Sequence, residues 1–274
     1  MVADTSSLHV SVIAPTAYLR DFVAQEPATV HHVAAQRVLH EPAYRSFFRA
    51  EADRGAWIVV DNGVFDLGRA LEAPDLVQAA RMIGAHEIIL PDVRQDGPAT
   101  TLASDRAARR LLDLTDDLNL CAVVHGADGP TWLRCYEHFA TSSYVSAIAL
   151  PASRRHLDSR ELCQNRVRAT AYLADQGLVQ DRLTYRLLGL GRTGHLELTQ
   201  QTRHRWLSSV DCAAPVILGA MGVPMLPDGP YTKIHTPRID ALDPIDPRRF
   251  PLIRANIATV RRAAHCPLTI PEDT

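Results

Sequence analysis

Short runs of apolar and β-branched residues recur along the whole chain and are separated by longer mixed segments. Several of these runs are almost continuous in Val, Ile and Leu, which is typical of strands covered on both faces, as in a parallel sheet. The pattern predicts eight strands, at residues 8–14, 29–35, 57–61, 87–91, 120–125, 144–150, 184–190 and 210–218.

The segments between the runs carry apolar residues at helical spacing, and we predict helices at residues 74–83, 101–114, 130–139, 159–175, 193–207 and 251–264. This alternation over 274 residues predicts an α/β fold, a (β/α)8 TIM barrel. An open doubly wound sheet is the alternative. However, the turn after the first strand, at residues 14–17, has no glycine, and the chain has no G-x-G-x-x-G or P-loop motif.

The barrel is predicted to be a single domain over residues 1–266. A stretch rich in Pro and Asp near residues 224–247 is interpreted as a long loop or insertion, and residues 267–274 as a C-terminal tail. The apolar runs are all shorter than the roughly 20 residues of a membrane span. The N-terminus has no basic cluster of the kind found in secretory signals. We therefore expect no membrane partner.

The composition narrows the functional classes. Hydrophobic residues make up 46% and charged residues 22%, which is ordinary for a globular protein, and the net charge of −2 excludes a globally basic protein that wraps nucleic acid. Lys233 is the only lysine, so nearly all positive charge is arginine, which binds phosphate well; a GC-rich genome would produce the same bias. The five cysteines form no C-x-x-C pair, which indicates reduced thiols, a cytoplasmic location and no cysteine-based zinc site.

Polar residues follow several of the predicted strands, at the ends where TIM barrels carry their chemistry. They are Asp61-Asn62-Gly63, Asp92, His125-Gly126 and Asp211. Most of them have an ordinary structural alternative as a turn, a helix cap or a buried histidine. Asp211 lies inside an apolar stretch, where a carboxylate has to be paired, hydrogen-bonded or functional.

Two carboxylates near each other permit displacement at an acetal-like carbon, with one as nucleophile and the other as acid/base. Metal binding is the competing interpretation of the same residues. The strand ends lack the His-x-His and His-x-x-x-His pairs of barrel metallohydrolases, and the adjacent His31 and His32 would point to opposite faces of a strand. We therefore predict no metal and no cofactor.

Taken together, the motifs resemble those of the tRNA-guanine transglycosylase superfamily, whose (β/α)8 barrels exchange a guanine for a 7-deazaguanine. Six segments agree in order over roughly residues 57–221. The family's D-S-G-G-F resembles Asp61-Asn62-Gly63-Val64-Phe65, its substrate-base aspartate resembles Asp92 in Leu90-Pro91-Asp92, and its V-Q-G-G resembles Val124-His125-Gly126-Ala127. Its G-G-L-A resembles Ala149-Leu150-Pro151-Ala152, its L-x-G-x-G-x-P-x-x-L resembles residues 188–196, and its F-D-C resembles Val210-Asp211-Cys212.

The chain also departs from the family. The tRNA enzymes carry a C-x-C-x-x-C…H zinc subdomain after the nucleophile, whereas this chain has only Cys266 there, so a barrel without that subdomain is implied. The family's P-T-R is Pro215-Val216-Ile217 here, and the Gln of V-Q-G-G is His125. The shorter chain is more similar to the compact DNA-modifying branch of phages and bacterial modification clusters, which inserts 7-deazaguanines into DNA.

The resemblance implies a role for each matching residue. Asp211 would attack C1′ of a guanine nucleotide, and Asp61 would act as the acid/base in a double displacement. Asp92 would accept hydrogen bonds from N1–H and the 2-amino group of the base, and Phe65 would stack on it. Further base contacts are expected from Asn62, His125, Gly126, Ala149, Leu150, Gly189 and Gly191.

The expected partners are DNA, with the target guanine extruded from the stack, and a 7-deazaguanine base such as preQ0. An accessory protein or a second copy of the chain is a further candidate, and the expected location is the cytoplasm, that of the host if a phage encodes the protein. Phosphates would be held by Arg154, Arg155, Arg192, Arg203, Arg205 and Lys233. The alternatives are a tRNA or RNA transglycosylase, a barrel acting on free nucleosides or small glycosides, a non-catalytic base-binding barrel and a metal-dependent hydrolase.

Overall fold

The computed structural model describes residues 8–24, 30–152, 161–191, 194–226 and 236–265. Its strands are β1 His9–Val12, β2 Val30–Ala34, β3 Trp57–Asp61, β4 Glu87–Ile89, β5 Asn119–Val123, β6 Ala147–Pro151, β7 Thr184–Leu188 and β8 Leu207–Cys212. Its helices are α1 Leu19–Phe22, α2 Ala35–His40, α3 Pro42–Asp53, α4 Val64–Leu67, α5 Ala73–Ile83, α6 Gly97–Leu114, α7 Gly129–Thr141, α8 Arg166–Asp175, α9 Gly194–Gln201, α10 Ala214–Ala220 and α11 Phe250–His265.

Strands and helices alternate along the chain, and each strand is parallel to the strands with which it pairs. The fold class is the (β/α)8 TIM barrel, which confirms the prediction from sequence. The chain divides into two compact units, one formed by residues 24–188 and the other by residues 1–23 together with 189–274. None of the described helices is long and apolar enough to cross a bilayer.

The unit of residues 24–188 contains β2 to β7, paired in chain order. One face of these strands forms an apolar cluster, because residues at alternate positions point to the same side of a sheet. The cluster consists of Val30, Val59, Ile89, Cys121, Val123, Ala147 and Ala149. The same alternation gives Asp61 the phase of Val59, so the strand ends carry polar groups directly beyond the apolar layer.

In the second unit β1 pairs with β8, with Ser11 opposite Asp211. Helices α10 and α11 approach each other closely at Gly219, where a Cβ atom would lie 2.6 Å from Cγ1 of Ile253, so only glycine fits. An aromatic cluster of Tyr18, Phe22 and Phe250 packs at the start of α11. These contacts bury the apolar face of α11.

The predicted strand at 210–218 is wrong in its bounds. Strand β8 ends at Cys212, and residues Ala214–Ala220 form the helix α10 with Pro215 in its first turn. Because α10 is apolar on nearly all sides, the sequence contains no helical period that would separate it from the strand. The helix predicted at 159–175 is wrong at its start, because it begins only at Arg166, where the side chain of Asn165 caps it, and Leu162–Gln164 before it form a turn of 3-10 helix. Of the predicted insertion, residues 227–235 lie outside the described part, and the tail 267–274 does as well.

Candidate functional site

The carboxyl end of β3 is a turn that orients Asn62. The Asp61 Oδ1 atom accepts a hydrogen bond from the Gly63 N–H at 2.7 Å, and the Asn62 Oδ1 atom accepts one from the Val64 N–H at 2.8 Å. Gly63 has a φ of +85°, in the left-handed region that favours glycine. Asp61-Asn62-Gly63 therefore forms a turn, which is the structural role that its sequence also allowed. In this turn the Asn62 amide nitrogen points toward the residues that follow β4.

Three of the sequence motifs are joined through Asp92. The Asn62 Nδ2 group donates to the Leu90 carbonyl at 2.7 Å and to the Asp92 Oδ1 atom at 2.9 Å. The other carboxylate oxygen of Asp92, Oδ2, lies 2.8 Å from His125 Nε2. We call this hydrogen-bonded group the Asn62–Asp92–His125 relay. It links the ends of β3, β4 and β5.

The relay orients the His125 ring. An ionised carboxylate only accepts hydrogen bonds, so His125 Nε2 carries the hydrogen, and in the neutral imidazole Nδ1 is then an acceptor. Within the described part of the chain, Nδ1 has no hydrogen-bond partner. The side chains of His125 and Asp92 are 11% and 12% exposed, whereas Asn62 is 2% exposed, so the relay runs from the interior toward solvent.

His125 lines a small cavity in the same unit. The cavity has a volume of about 70 Å³ and is also lined by Arg94, Trp132, Leu150, Cys163 and Arg166. Sites for small organic ligands usually measure about 300–1,000 Å³. A whole purine therefore does not fit inside this cavity.

Two of the cavity residues were not expected from the sequence. Arg166 is buried, and its Nη1 group donates to the carbonyl oxygens of Leu150 and Leu188, each at 2.9 Å, so it ties together the ends of β6 and β7. Burial, with the nearby Glu161 carboxylate adding to it, raises the pKa of the Cys163 thiol. The sequence signal for Arg166 is its place directly after the capping residue Asn165, but an arginine there is ordinarily a surface residue.

Of the other candidate residues of this unit, some line the cavity and others lie outside its described lining. Gly126 lines the cavity and packs so closely on α7 that an added Cβ would lie 2.3 Å from the backbone nitrogen of Trp132. Ala149 is fully buried in the apolar cluster, and its carbonyl accepts the Val124 N–H. Phe65 is 76% exposed on α4, with the Arg94 guanidinium carbon 5.7 Å from its ring centroid. The described lining of the cavity includes neither Ala149 nor Phe65.

In the second unit, Asp211 is half-buried near the carboxyl end of β8. Its Oδ1 atom accepts the Gly189 N–H at 2.7 Å, and Gly189 adopts a left-handed φ of +71°. A backbone N–H donor of this kind stabilises a carboxylate anion. Gly191 is exposed.

The arginines predicted to bind phosphate are only partly described. Arg203 and Arg205 are exposed between α9 and β8, at the amino end of β8, whereas Asp211 lies near its carboxyl end. At about 3.3 Å per residue, Arg205 and Asp211 are separated by roughly 20 Å. These two arginines are therefore remote from Asp211 along β8. Arg154, Arg155, Arg192 and Lys233 lie outside the described residues.

A buried polar network inside the first unit was also missed. Glu87 on β4 and Arg186 on β7 form a bidentate ion pair, with Nε–Oε1 and Nη2–Oε2 distances of 2.7 Å. Burial lowers the pKa of His32 to about 3, and the charge of Arg186 and the neighbouring His31 add to this shift. No cluster of three or more His, Cys, Asp or Glu side chains suited to a metal occurs in the described ranges.

Comparisons with known proteins define the fold class. No protein-family model matches the chain, and no curated protein matches it. Among solved structures, a candidate fructose-1,6-biphosphate aldolase from Coccidioides immitis is similar with a TM-score of 0.52 and 14% identity over 94% of this chain and 90% of that one. A glycoside hydrolase of family 5 from Bacteroides vulgatus gives a TM-score of 0.49 with 6% identity over 75% of this chain and 58% of that one.

A third similar structure is a dihydrodipicolinate synthase from Agrobacterium tumefaciens, with a TM-score of 0.45 and 12% identity over 97% of this chain and 92% of that one. None of these three is a tRNA-guanine transglycosylase. At such identities the likeness shows the fold alone. The chain is therefore a TIM-barrel protein, and its chemistry has to be argued from its own residues.

Proposed function

We propose that this protein is an enzyme that exchanges guanine for a 7-deazaguanine base in DNA through a covalent aspartyl–sugar intermediate. The observation that carries the proposal is the Asn62–Asp92–His125 relay. It joins, by hydrogen bonds of 2.8 and 2.9 Å, three segments that lie about 30 residues apart in sequence and that resemble successive motifs of one transglycosylase family. A purely structural origin of the three motifs would not require their polar side chains to meet.

The chemistry is a pair of displacements at C1′ of the target nucleotide. In the roles that the resemblance implies, a carboxylate oxygen of Asp211 would form a bond to C1′ while the bond from C1′ to N9 of guanine breaks, and Asp61 would supply the proton that the departing base takes up. Asp61 then removes the ring N–H proton of the incoming 7-deazaguanine. The nitrogen attacks C1′, which releases Asp211 with the sugar configuration retained.

The relay and its cavity supply the recognition of the base. Because the cavity measures only about 70 Å³, the base lies across its opening and presents one edge to His125 rather than entering completely. The residues that line the cavity include the apolar Leu150 and Trp132 and the basic Arg94 and Arg166. Polar donors and acceptors beside apolar surface are the usual means of fixing the orientation of a ligand.

The test is incorporation of labelled guanine and labelled 7-deazaguanine into duplex DNA, single-stranded DNA and tRNA, assayed in parallel. We expect label in DNA, and a decrease of about a thousandfold or more in the Asp211→Asn variant, because a neutral amide is a far weaker nucleophile. Asp113→Asn removes an exposed carboxylate on α6 and is the matched control. Label in tRNA alone would move the substrate to RNA, and label in no nucleic acid would refute the exchange reaction.

A further inference from the structure

The helix α11 has a charge pattern that the other long helices lack. Residues 247–265 contain five arginines and no aspartate or glutamate. Each of the other described helices of eight residues or more carries at least one acidic residue. The segment is therefore strongly positive, in a chain whose net charge is −2.

The cationic side chains of α11 lie on the side of the helix that faces solvent. The opposite side is buried and consists mostly of Ile, Val and Ala. At 3.6 residues per turn, four cationic or titratable side chains share the outer side. We call this side the α11 basic face, and it consists of Arg254, Arg261, Arg262 and His265. At about 1.5 Å per residue the face is roughly 16 Å long.

Little negative charge in the described part of the chain compensates this face. Asp21 lies 3.7 Å from Arg254, and Arg262 donates to the Thr259 hydroxyl rather than to a carboxylate. Arg261 is half-buried with no carboxylate partner among the described residues, and burial lowers the pKa of its guanidinium. A partly desolvated cation without a counter-charge costs free energy, which a bound anion would offset.

The position of the cations is not explained by the helix alone. The negative end of a helix dipole favours cations in the last turn, which accounts for Arg262 and His265. Arg254 lies near the start of α11, where the dipole favours acidic residues instead, and the first turn has none. A function of the whole face accounts for both ends.

The composition of the face indicates which kind of anion it fits. A helix that lies on a lipid surface exposes an apolar side. The apolar side of α11 is buried, and the other exposed positions of the helix are Pro251 and Ala255. A guanidinium presents a planar pair of donors that suits phosphate. Duplex DNA carries a phosphate about every 3.4 Å of its axis on each strand, so a row roughly 16 Å long faces about four or five of them.

We propose that the α11 basic face is a docking surface for the phosphate backbone of duplex DNA. None of the basic residues that the family resemblance implies for phosphate lies on α11. The inference goes beyond the proposed function by adding a second contact with the substrate, and it rests on that function only in the choice of DNA. Phosphate contacts position a protein on the duplex without reading sequence.

The experiment measures the affinity of the full chain for a duplex DNA by fluorescence anisotropy at salt concentrations from 50 to 200 mM. In the variant Arg261→Gln with Arg262→Gln, we expect the affinity at the lowest salt concentration to fall about tenfold. The slope of the logarithm of the association constant against that of the salt concentration should fall by about two, because each phosphate contact contributes about 0.9. KM for DNA in the exchange assay should rise by a similar factor, with kcat changing less than about twofold.

Two further variants keep the result specific to α11. Arg106→Gln with Arg110→Gln removes the same charge from exposed positions of α6 and is the matched control. An equal loss of affinity in this control would assign the effect to net charge and overturn the inference. Arg262→Glu changes one exposed position only, so it carries the test if circular dichroism and a urea titration show that the double variant on α11 is not folded.

The outcomes also distinguish the inference from the exchange reaction. Exchange into DNA with an unchanged KM and salt dependence in the folded α11 variants would overturn the inference and leave the proposed function standing. DNA binding that depends on the α11 basic face, without exchange into any nucleic acid, would support the inference and refute the transglycosylase. Binding of the α11 basic face to tRNA alone, or to phosphatidylserine vesicles alone, would overturn the inference.

Discussion

Two polar groups in the unit of residues 24–188 are built in opposite ways. The Glu87–Arg186 pair lies among the strands with side chains only 1% and 3% exposed, and its two hydrogen bonds of 2.7 Å engage both carboxylate oxygens. The Asn62–Asp92–His125 relay lies at the strand ends, is about a tenth exposed at its outer members and ends in an unused ring nitrogen. One group is closed on itself and the other is open.

The difference indicates what each group is for. The ion pair has side chains only 1% and 3% exposed, so a ligand in solution does not reach it, and we expect its contribution to be to the packing of β4 and β7 in one unit. An open relay keeps an acceptor at the edge of a cavity, where water or a ligand completes it. Polar residues buried in the same unit are therefore not equivalent candidates for function. The criterion that distinguishes them is whether the outermost atom of their hydrogen-bond network has a partner within the protein.

Breaking the closed pair should have the largest effect on stability. Glu87→Gln leaves the buried Arg186 guanidinium without its counter-charge, and we expect the free energy of unfolding to fall by about 3–5 kcal/mol. Urea unfolding followed by circular dichroism measures this loss.

A double variant sharpens the same comparison. Replacing both partners, as in Glu87→Leu with Arg186→Met, removes the uncompensated charge, so stability should recover most of the loss. A loss of less than about 1 kcal/mol in Glu87→Gln alone would mean that the pair is not closed in solution in the way the geometry requires.

The buried histidine beside this pair should make stability depend on pH. Because the pKa of His32 is lowered to about 3, the folded protein keeps this ring neutral at pH values where the unfolded chain, near 6.5, takes up a proton. The unfolded state then binds more protons between about pH 6.5 and pH 3, so the contribution to stability is full above the unfolded pKa and is lost as the pH falls. Between pH 7 and pH 5 the loss is about 2 kcal/mol.

The measurement is the urea midpoint of the unmodified protein and of His32→Gln at pH 5, 6 and 7. The change of the urea midpoint with pH is compared between the two proteins. The difference isolates the contribution of His32, because the other histidines are common to both proteins. His40→Gln controls for the removal of an exposed histidine. An equal change of the urea midpoint with pH in the unmodified protein and in His32→Gln would contradict a neutral buried His32 ring.

Much of the fold could be predicted because the strands are short, apolar and punctuated by amphipathic helices. The prediction for β3 matches the structure at both ends, and those for β2, β5 and β7 are correct to within two residues at each end. The prediction failed where hydrophobic burial overrides periodicity. Helix α10 is apolar on nearly every side, and it was therefore joined to β8. The short helix α2 follows β2 without a loop and has too few turns to show a period.

The candidate site was predictable in its residue types but not in its bonding. The positions of Asp61, Asp92 and His125 follow from the strand ends, since chemistry in this fold lies there. That Asn62 and His125 would engage the two oxygens of Asp92 depends on side-chain directions that no sequence pattern specifies. The Glu87–Arg186 pair joins residues 99 positions apart, so only the folded sheet reveals it.

The smallest effect on stability is expected at Phe65, an apolar residue that the packing does not use. Its ring is 76% exposed, and its contact with the Arg94 guanidinium is solvent-accessible, so Phe65→Ala should change the free energy of unfolding by less than about 1 kcal/mol. Under the proposed function, affinity for single-stranded DNA should nevertheless fall, because stacking of a base on an aromatic ring contributes about 1–3 kcal/mol. Fluorescence anisotropy measures that affinity, with Phe65→Tyr as the control that retains a ring. If Phe65→Ala binds DNA normally but is destabilised by several kcal/mol, the residue belongs with the closed interior group, and its exposure does not mark a binding surface.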